Sequence, residues 1–167
     1  MRAALAVLPF VLLISSCGSS NPPASQEIVV KLQPNGASAS LPLIPGPPRM
    51  SLDQLGDLSD PVGKAPATFR LDGDIDVSGF AIDEPAGRVA AGVDIVIDSL
   101  PFAAHYGIER GDVGDYFKNP GYRNSGFQYS TPARFFGKGK HTLGVRIIRA
   151  DGKGYQDGPV VTFGIQQ

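Results

Sequence analysis

The amino-acid sequence predicts an all-β protein, a single antiparallel β-sandwich preceded by a signal peptide and a disordered tether. Short alternations of apolar and polar residues recur from residue 67 to residue 167, separated by turns rich in Gly, Asp and Pro. No long helical repeat of apolar residues interrupts them. The first residues instead have the composition of an export signal. We therefore expect a signal peptide at 1–16, a lipidated tether at 17–66 and a folded domain at 67–167.

The N-terminal segment is typical of a secretory signal. Arg2 supplies a positive charge, and residues 3–14 (AALAVLPFVLLI) form an uncharged run of twelve. That run is shorter than the roughly 20 apolar residues needed to span a bilayer, but it suits a signal-peptide core. We exclude this segment from predictions of the fold.

Cys17 is the predicted site of a lipid anchor. The residues Ile14-Ser15-Ser16-Cys17 resemble the lipobox of bacterial lipoproteins, which implies cleavage before Cys17 and lipidation of its thiol. Cys17 is also the one cysteine of the chain, so it has no partner for an intramolecular disulfide. Gly18 follows it, where lipoproteins retained in the inner membrane carry Asp. The resemblance therefore implies a place in the cell envelope, at the outer membrane.

The charge balance argues against nucleic acid as a partner. The chain has 15 Lys and Arg and 16 Asp and Glu, a formal net charge of −1, and removal of Arg2 with the signal peptide makes it −2. Binding to nucleic acid depends largely on a basic surface that displaces counterions.

The predicted tether is rich in Ser, Pro, Gly and Ala, a composition that buries too little apolar surface to fold. Two short pieces within it have other patterns. Residues 27–32 (EIVVKL) have the character of an edge strand. Residues 51–58 (SLDQLGDL) predict a turn of helix with Ser51 as N-cap. That helix would either dock a partner or pack on its own domain.

The first predicted strands of the domain lie at residues 68–71 and 74–83. Within the second, Ile75 and Val77 occupy odd positions whereas Phe80 and Ile82 occupy even positions. A β-bulge at Ser78-Gly79 would keep all four side chains on the buried face.

Later strands follow the same period of two. Val93, Ile95 and Ile97 alternate with Asp94 and Asp98, which predicts a half-exposed strand. Further apolar residues at this period are Phe102, Ala104, Tyr106, Ile108, Leu143, Val145, Ile147, Val161, Phe163 and Ile165. An Asp151-Gly152 turn separates the last two strands, giving about seven in all. Residues 111–117 predict one turn of helix, with Asp112 as N-cap.

A set of short motifs resembles the bacterial immunoglobulin-like modules of surface and secreted proteins. They are, in order, GFAID (79–83), VDIVID (93–98), Tyr106-Gly107, Asp112-Val113, Phe117, Asn119-Pro120, SGF (125–127), GKHTL (139–143), Val145-Arg146 and Asp151-Gly152. The resemblance covers residues 69–165. It implies an immunoglobulin-like sandwich with an accessory or adhesive role and no catalytic residues.

Metal sites have weak support in the sequence. Asp72, Asp74 and Asp76 match the opening of a calcium-binding EF-hand loop, but Val77 stands where that loop needs Gly. We interpret them as a solvated strand face, with a weak surface calcium site as the alternative. His105 and His141 lack the spacing of zinc ligands. We expect no cofactor.

The best candidate binding surface is the segment between the middle strands, which concentrates aromatic residues and an arginine. Its members are Tyr106, Tyr116, Phe117, Tyr122 and Arg123. Aromatic residues and Arg are enriched at protein interfaces, and tyrosine rings also stack on sugars. The alternative is that Phe117 and one tyrosine plug the end of the sandwich.

Together these patterns favour a non-catalytic envelope lipoprotein that is held at a membrane and binds or scaffolds a protein partner. A carbohydrate-binding module that takes a surface polysaccharide is the alternative. A hydrolase ranks last, because no nucleophile motif occurs in the sequence.

Overall fold

The computed structural model describes residues 32–167, and most of this part of the chain belongs to two facing β-sheets. The predicted signal peptide, Cys17 and most of the predicted strand at 27–32 lie outside the described residues. The strands are β1 (Arg49–Leu55), β2 (Leu58–Ser59), β3 (Ala67–Arg70), β4 (Asp74–Asp83), β5 (Arg88–Val89), β6 (Gly92–Ile97), β7 (Leu100–Ala103), β8 (His105–Ile108), β9 (Gly126–Pro132), β10 (Gly139–Ile148) and β11 (Tyr155–Gln166). One short helix, α1 (Gly111–Tyr116), lies between β8 and β9.

The strands are divided between two sheets. Sheet I has the order β2-β1-β4-β9-β8, with β5 beside the end of β4. Sheet II has the order β3-β11-β10-β6-β7. Only β3 and β11 pair in parallel among the described strands, and the other pairs are antiparallel. The predicted all-β sandwich is therefore confirmed at this level.

The core fills the space between the two sheets. Its largest fully buried side chains include Phe102, Phe127 and Phe163, together with Ile75 and Ile95. Burial of this apolar surface is the main force that holds the sheets face to face. The predicted alternation of the apolar residues in β6, β10 and β11 is confirmed, and β4 has the predicted bounds.

Close contact between sheet I and the core depends on a glycine in β4. A Cβ atom at Gly79 would lie 2.1 Å from the carbonyl oxygen of Ser51 and 2.7 Å from the Phe127 ring. The missing side chain therefore leaves room for the Phe127 ring and for strand β1.

The predicted bulge at Ser78-Gly79 is wrong. β4 pairs with β9 in continuous register from Asp74 to Phe80, so the strict alternation of its side chains is kept. The irregularity lies in β1 instead, between Leu52 and Gln54. As a result Phe80 and Ile82 point away from the main core, onto the outer face of sheet I.

The predicted helical turn at 51–58 is also wrong. Residues 49–55 form strand β1, which pairs with β4 and buries Leu52 and Leu55 in the core. The leucines fall at helical spacing, but the cross-strand partners available in β4 override that local pattern. The tether predicted to reach residue 66 is consequently too long, because the folded part includes β1 and β2.

Residues 35–44 form a strap across the outer face of sheet II, from β7 over β6 to β11. The backbone N–H groups of Ala37 and Ser38 donate to the carboxylate of Asp94, at 3.3 and 2.7 Å. Leu43 forms a bridge with Tyr155. The expectation that Asp94 lies on an exposed strand face is therefore wrong, since this strap leaves it only 2% exposed.

The predicted alternation from Phe102 to Ile108 spans two strands in different sheets. β7 pairs with β6 in sheet II, whereas β8 pairs with β9 in sheet I, and the chain crosses over at Ala104.

Within residues 32–167 no helix is both long enough and apolar enough to cross a membrane.

Candidate functional site

The segment 109–125 between β8 and β9, here called the insert, covers part of the outer face of sheet I. It packs against Phe80 and Ile82, the two apolar side chains that β4 directs away from the main core. Ile82, Val113 and Tyr122 are buried together, and Phe80 and Phe117 pack against them. The insert thus forms a second, smaller core outside the sandwich.

Phe117 lies at the centre of an aromatic cluster in the insert. Its ring meets Phe80 edge to face at 6.3 Å between ring centroids and Tyr122 at 5.7 Å. Tyr116 contacts the same ring at 4.9 Å. Edge-to-face pairs at such distances each contribute about 0.5–1.5 kcal/mol beyond simple burial. The exposed ring of Tyr116 therefore rests on packed aromatic side chains.

Two arginines fix the insert to sheet I. The guanidinium of Arg110 donates to Asp53 at 2.6 Å and to Asp112 at 2.7 Å, and it lies 5.5 Å from the centroid of the Phe80 ring. The hydrogen bond to Asp112, together with that to Asp53, raises the pKa of Arg110. Arg49 of β1 lies over the Phe117 ring at 5.2 Å. These contacts link the insert to β1 as well as to β4.

The cap of helix α1 differs from the prediction. The N-cap residue is Arg110, and Asp112 lies within the first turn. The carboxylate of Asp112 accepts hydrogen bonds from the Arg110 side chain at 2.9 and 2.7 Å. Asp112 therefore takes part in anchoring the insert through Arg110 rather than in capping the helix.

Four of the five residues in the predicted binding surface lie together in the insert. Tyr116 is 80% exposed, whereas Tyr122 is buried at 5%. Arg123 forms an ion pair with Asp115 at 3.0 Å. The two interpretations of this segment, a binding surface and a plug for the sandwich, therefore each hold for some of its residues. Phe117 and Tyr122 build the small core, and Tyr116 and Arg123 face solvent.

Tyr106, the fifth residue of the predicted surface, braces β4. Its hydroxyl donates to the carbonyl oxygen of Ala81 at 2.6 Å and accepts from the backbone N–H of Ala90 at 3.0 Å. Burial raises the pKa of Tyr106 to about 12. Both hydrogen bonds of this hydroxyl are to backbone groups of the domain. Tyr106 is therefore not part of the exposed surface around Tyr116.

The part of sheet I that the insert leaves uncovered carries a second arrangement, which the sequence did not reveal. Gln54, Ser78, Gln128 and His105 lie opposite one another in register across β1, β4, β9 and β8. We call these four the polar row. They line a depression of about 470 Å³ together with Asp76 and Ser130 of the neighbouring row. The four residues come from distant parts of the sequence, so only the strand order places them side by side.

Asp72, Asp74 and Asp76 do not converge on one point. Asp72 accepts two hydrogen bonds from Arg70, at 2.9 and 3.0 Å. The hydrogen bond and the charge of Arg70 lower the pKa of Asp72. Asp74 and Asp76 lie on the exposed side of β4. In the described part of the chain no group of three or more His, Cys, Asp and Glu side chains is arranged to hold a metal ion.

His141 is buried near the start of β10. Its Nδ1 lies 2.6 Å from the carboxylate of Asp98, and its Nε2 lies 3.1 Å from the carbonyl oxygen of Gly137. Both ring nitrogens are thus engaged by groups of the domain itself. The ring also stacks on Phe163 at 5.4 Å. These contacts make His141 a buried cross-link between two turns.

No protein-family model matches this sequence, and no curated protein is similar to it at a significant level.

The Asp98–His141 pair is expected to make stability dependent on acid pH. Burial alone would raise the pKa of Asp98, but hydrogen bonds from His141 and Thr142 outweigh it and lower that pKa. A lowered carboxyl pKa stabilises the fold above the ordinary value of about 4, and the gain is lost as pH falls through the lowered pKa. Asp98→Asn should lower the free energy of unfolding at pH 5.5 by about 1–2 kcal/mol, limited by the 43% exposure of its side chain.

Urea unfolding at a series of pH values checks this expectation. The difference between wild type and Asp98→Asn should shrink as pH falls below about 4. The matched control is Asp57→Asn, at an exposed turn position whose side chain makes no hydrogen bond within the described residues. A difference that is constant with pH, or equal for both variants, would contradict the assignment.

Proposed function

We propose that this chain is a non-catalytic lipoprotein of the bacterial cell envelope, and that its immunoglobulin-like domain binds a protein partner through the insert. The lipid on Cys17 holds the domain at a membrane, with the outer membrane as its destination. The exposed ring of Tyr116, supported by a packed aromatic cluster, is the observation that carries the binding part of the proposal.

The strand order supports the immunoglobulin-like part of this proposal. Immunoglobulin domains have strands A, B, E and D in one sheet and C, F and G in the other. Assigning A, B, C, D, E, F and G to β1, β4, β6, β8, β9, β10 and β11 reproduces both sheets in the required order. The strands β3 and β7 then add to the edges of the second sheet. The insert lies between strands D and E.

Tyr116 has the properties of an interface anchor. Hot spots of protein interfaces are enriched in Tyr, Trp and Arg, and rigid aromatic side chains lose little conformational entropy on binding. The Tyr116 ring rests on Phe117, which is in turn held by Phe80, Tyr122 and Arg49. Arg123, paired with Asp115, the residue before Tyr116, offers a charged group that is half exposed. A partner would thus meet a preorganised patch.

The position of His141 supports a non-catalytic role. A general base needs a ring nitrogen that can accept a proton from substrate. Both nitrogens of His141 already have partners within the domain, Asp98 and Gly137. This side chain therefore stabilises turns and does not offer a base to a substrate.

The anchor limits where the partner can lie. Fourteen residues separate Cys17 from Leu32, the first residue that the structure describes. A chain of that length spans at most about 50 Å when fully extended. The domain would therefore remain close to the membrane surface and meet partners in the same layer.

The binding role predicts a specific effect of truncating Tyr116. Chemical crosslinking in living cells should capture a discrete partner with the wild-type chain, and affinity is then measured with that purified partner. Tyr116→Ala should cost at least about 2 kcal/mol of binding energy, a roughly thirtyfold loss of affinity. Circular dichroism should show the fold unchanged, because the ring is mostly exposed.

Val160→Ala is the matched control for Tyr116→Ala. Val160 is 67% exposed and lies in β11 of sheet II, remote in the fold from the insert. This variant should bind the partner as the wild type does. Equal binding by Tyr116→Ala and wild type, or equal loss in both variants, would rule out the insert as the binding surface.

The anchor predicts a change in cell fractionation. Cys17→Ser removes the thiol that carries the lipid, and the acyl chains supply most of the membrane affinity at about 0.8 kcal/mol per buried CH₂ group. The variant should move from the membrane fraction to the soluble fraction, with the β-domain still folded and resistant to protease. Retention in the membrane fraction would show that the anchor lies elsewhere.

A further inference from the structure

The uncovered part of sheet I has an unusual composition for a solvent-facing strand surface. Outer faces of antiparallel sheets are commonly polar, so polarity alone indicates nothing. Here, however, no Lys, Arg or Glu is among the eight described residues that line the depression, and Asp76 is its one carboxylate. The remaining polar groups are amide, hydroxyl and imidazole.

Every member of the polar row can both donate and accept hydrogen bonds. A glutamine side chain has a carbonyl oxygen and an NH₂ group, serine has a hydroxyl, and neutral histidine has one donor and one acceptor nitrogen. Lys and Arg only donate, and ionised carboxylates only accept. Such a row is therefore complementary to a ligand whose own groups do both, as the hydroxyls of a sugar do.

The side chains of the polar row are not engaged elsewhere in the described part of the domain. Gln54, Gln128 and His105 are exposed, and no side-chain hydrogen bond joins them, Ser78, Asp76 or Ser130 to another described residue. Their backbone positions are nonetheless fixed, because each residue sits in a strand paired with its neighbour in the row. A ligand would find the hydrogen-bonding groups already spaced.

The length and charge of the depression define the class of ligand. Four adjacent strands at about 4.8 Å spacing make the polar row about 14 Å long, which suits several sugar units rather than one. Without a cationic side chain in the lining, and with Asp76 present, an anionic polymer would be repelled.

We propose that the polar row is a binding site for a neutral oligosaccharide, separate from the insert and its protein partner. The sugar chain lies across the four strands and exchanges hydrogen bonds with Gln54, Ser78, Gln128 and His105. The one phenol among the described lining residues, Tyr129, is stacked on Phe102, so hydrogen bonds carry the recognition. The domain would then join a membrane-proximal protein to a neutral glycan.

The test uses the full chain purified in a detergent without a sugar headgroup, because such a headgroup would compete for the site. Isothermal titration with the neutral oligomers maltohexaose, cellohexaose and chitohexaose should reveal binding of at least one. Gln54→Ala and Gln128→Ala should each weaken that binding about fivefold, and the double variant more than tenfold, since each removes one set of neutral hydrogen bonds. Polygalacturonate, an anionic glycan, should not bind.

Two controls separate this proposal from the protein-binding role. Gln166→Ala removes an exposed glutamine of sheet II and should leave glycan affinity unchanged. Tyr116→Ala should also leave it unchanged, while it weakens binding of the protein partner about thirtyfold. Failure of all three neutral oligomers to bind at 10 mM concentration, on the order of the weakest specific affinities, would overturn the glycan site. So would equal weakening in Gln166→Ala, and neither result would touch the role of Tyr116.

Discussion

The two faces of strand β4 set the constraint on which the outer part of this domain depends. Ile75, Val77 and Ala81 enter the sandwich core, while strict alternation sends Phe80 and Ile82 to the opposite face. Burial of an apolar side chain of that size stabilises the fold by about 1.5–3 kcal/mol, and this free energy is forgone if the side chain stays in water. The insert covers them, and its own aromatic residues complete the second core. Because that cover extends over only part of sheet I, the polar row beyond it stays open.

This division explains how one sheet could serve two ligands. The covered part offers an aromatic surface whose rings support one another, and the open part offers a depression lined by hydrogen-bonding groups. Arg110 lies near the boundary, bonded to Asp53 of β1 and to Asp112 of the insert. Sheet II differs, since part of its outer face is covered by the strap that binds Asp94. The proposed functions therefore both fall on sheet I.

The sequence was a good guide wherever local periodicity decides structure. It predicted the bounds of β4, the alternation in β6, β10 and β11, and the short helix, because burial on one face leaves a period-two pattern. It failed at residues 51–58, where helical spacing of leucines is overridden by pairing with β4. It grouped Tyr116 with Phe117 and Tyr122 but could not tell exposed from buried rings. The polar row could not be predicted from the sequence, because only the order of the strands brings its four residues side by side.

Amide hydrogen exchange measured by NMR on wild type and Phe80→Ala tests most directly whether the insert depends on β4. Truncation of Phe80 should remove protection from amides within the insert, such as those of Phe117 and Asn119, which donate to Val113 and Gly114. Protection in β10 and β11 should persist, and Phe135→Ala, outside the insert, should leave the insert protected. If the insert kept its protection without Phe80, the cover would not depend on β4 and the account would be contradicted.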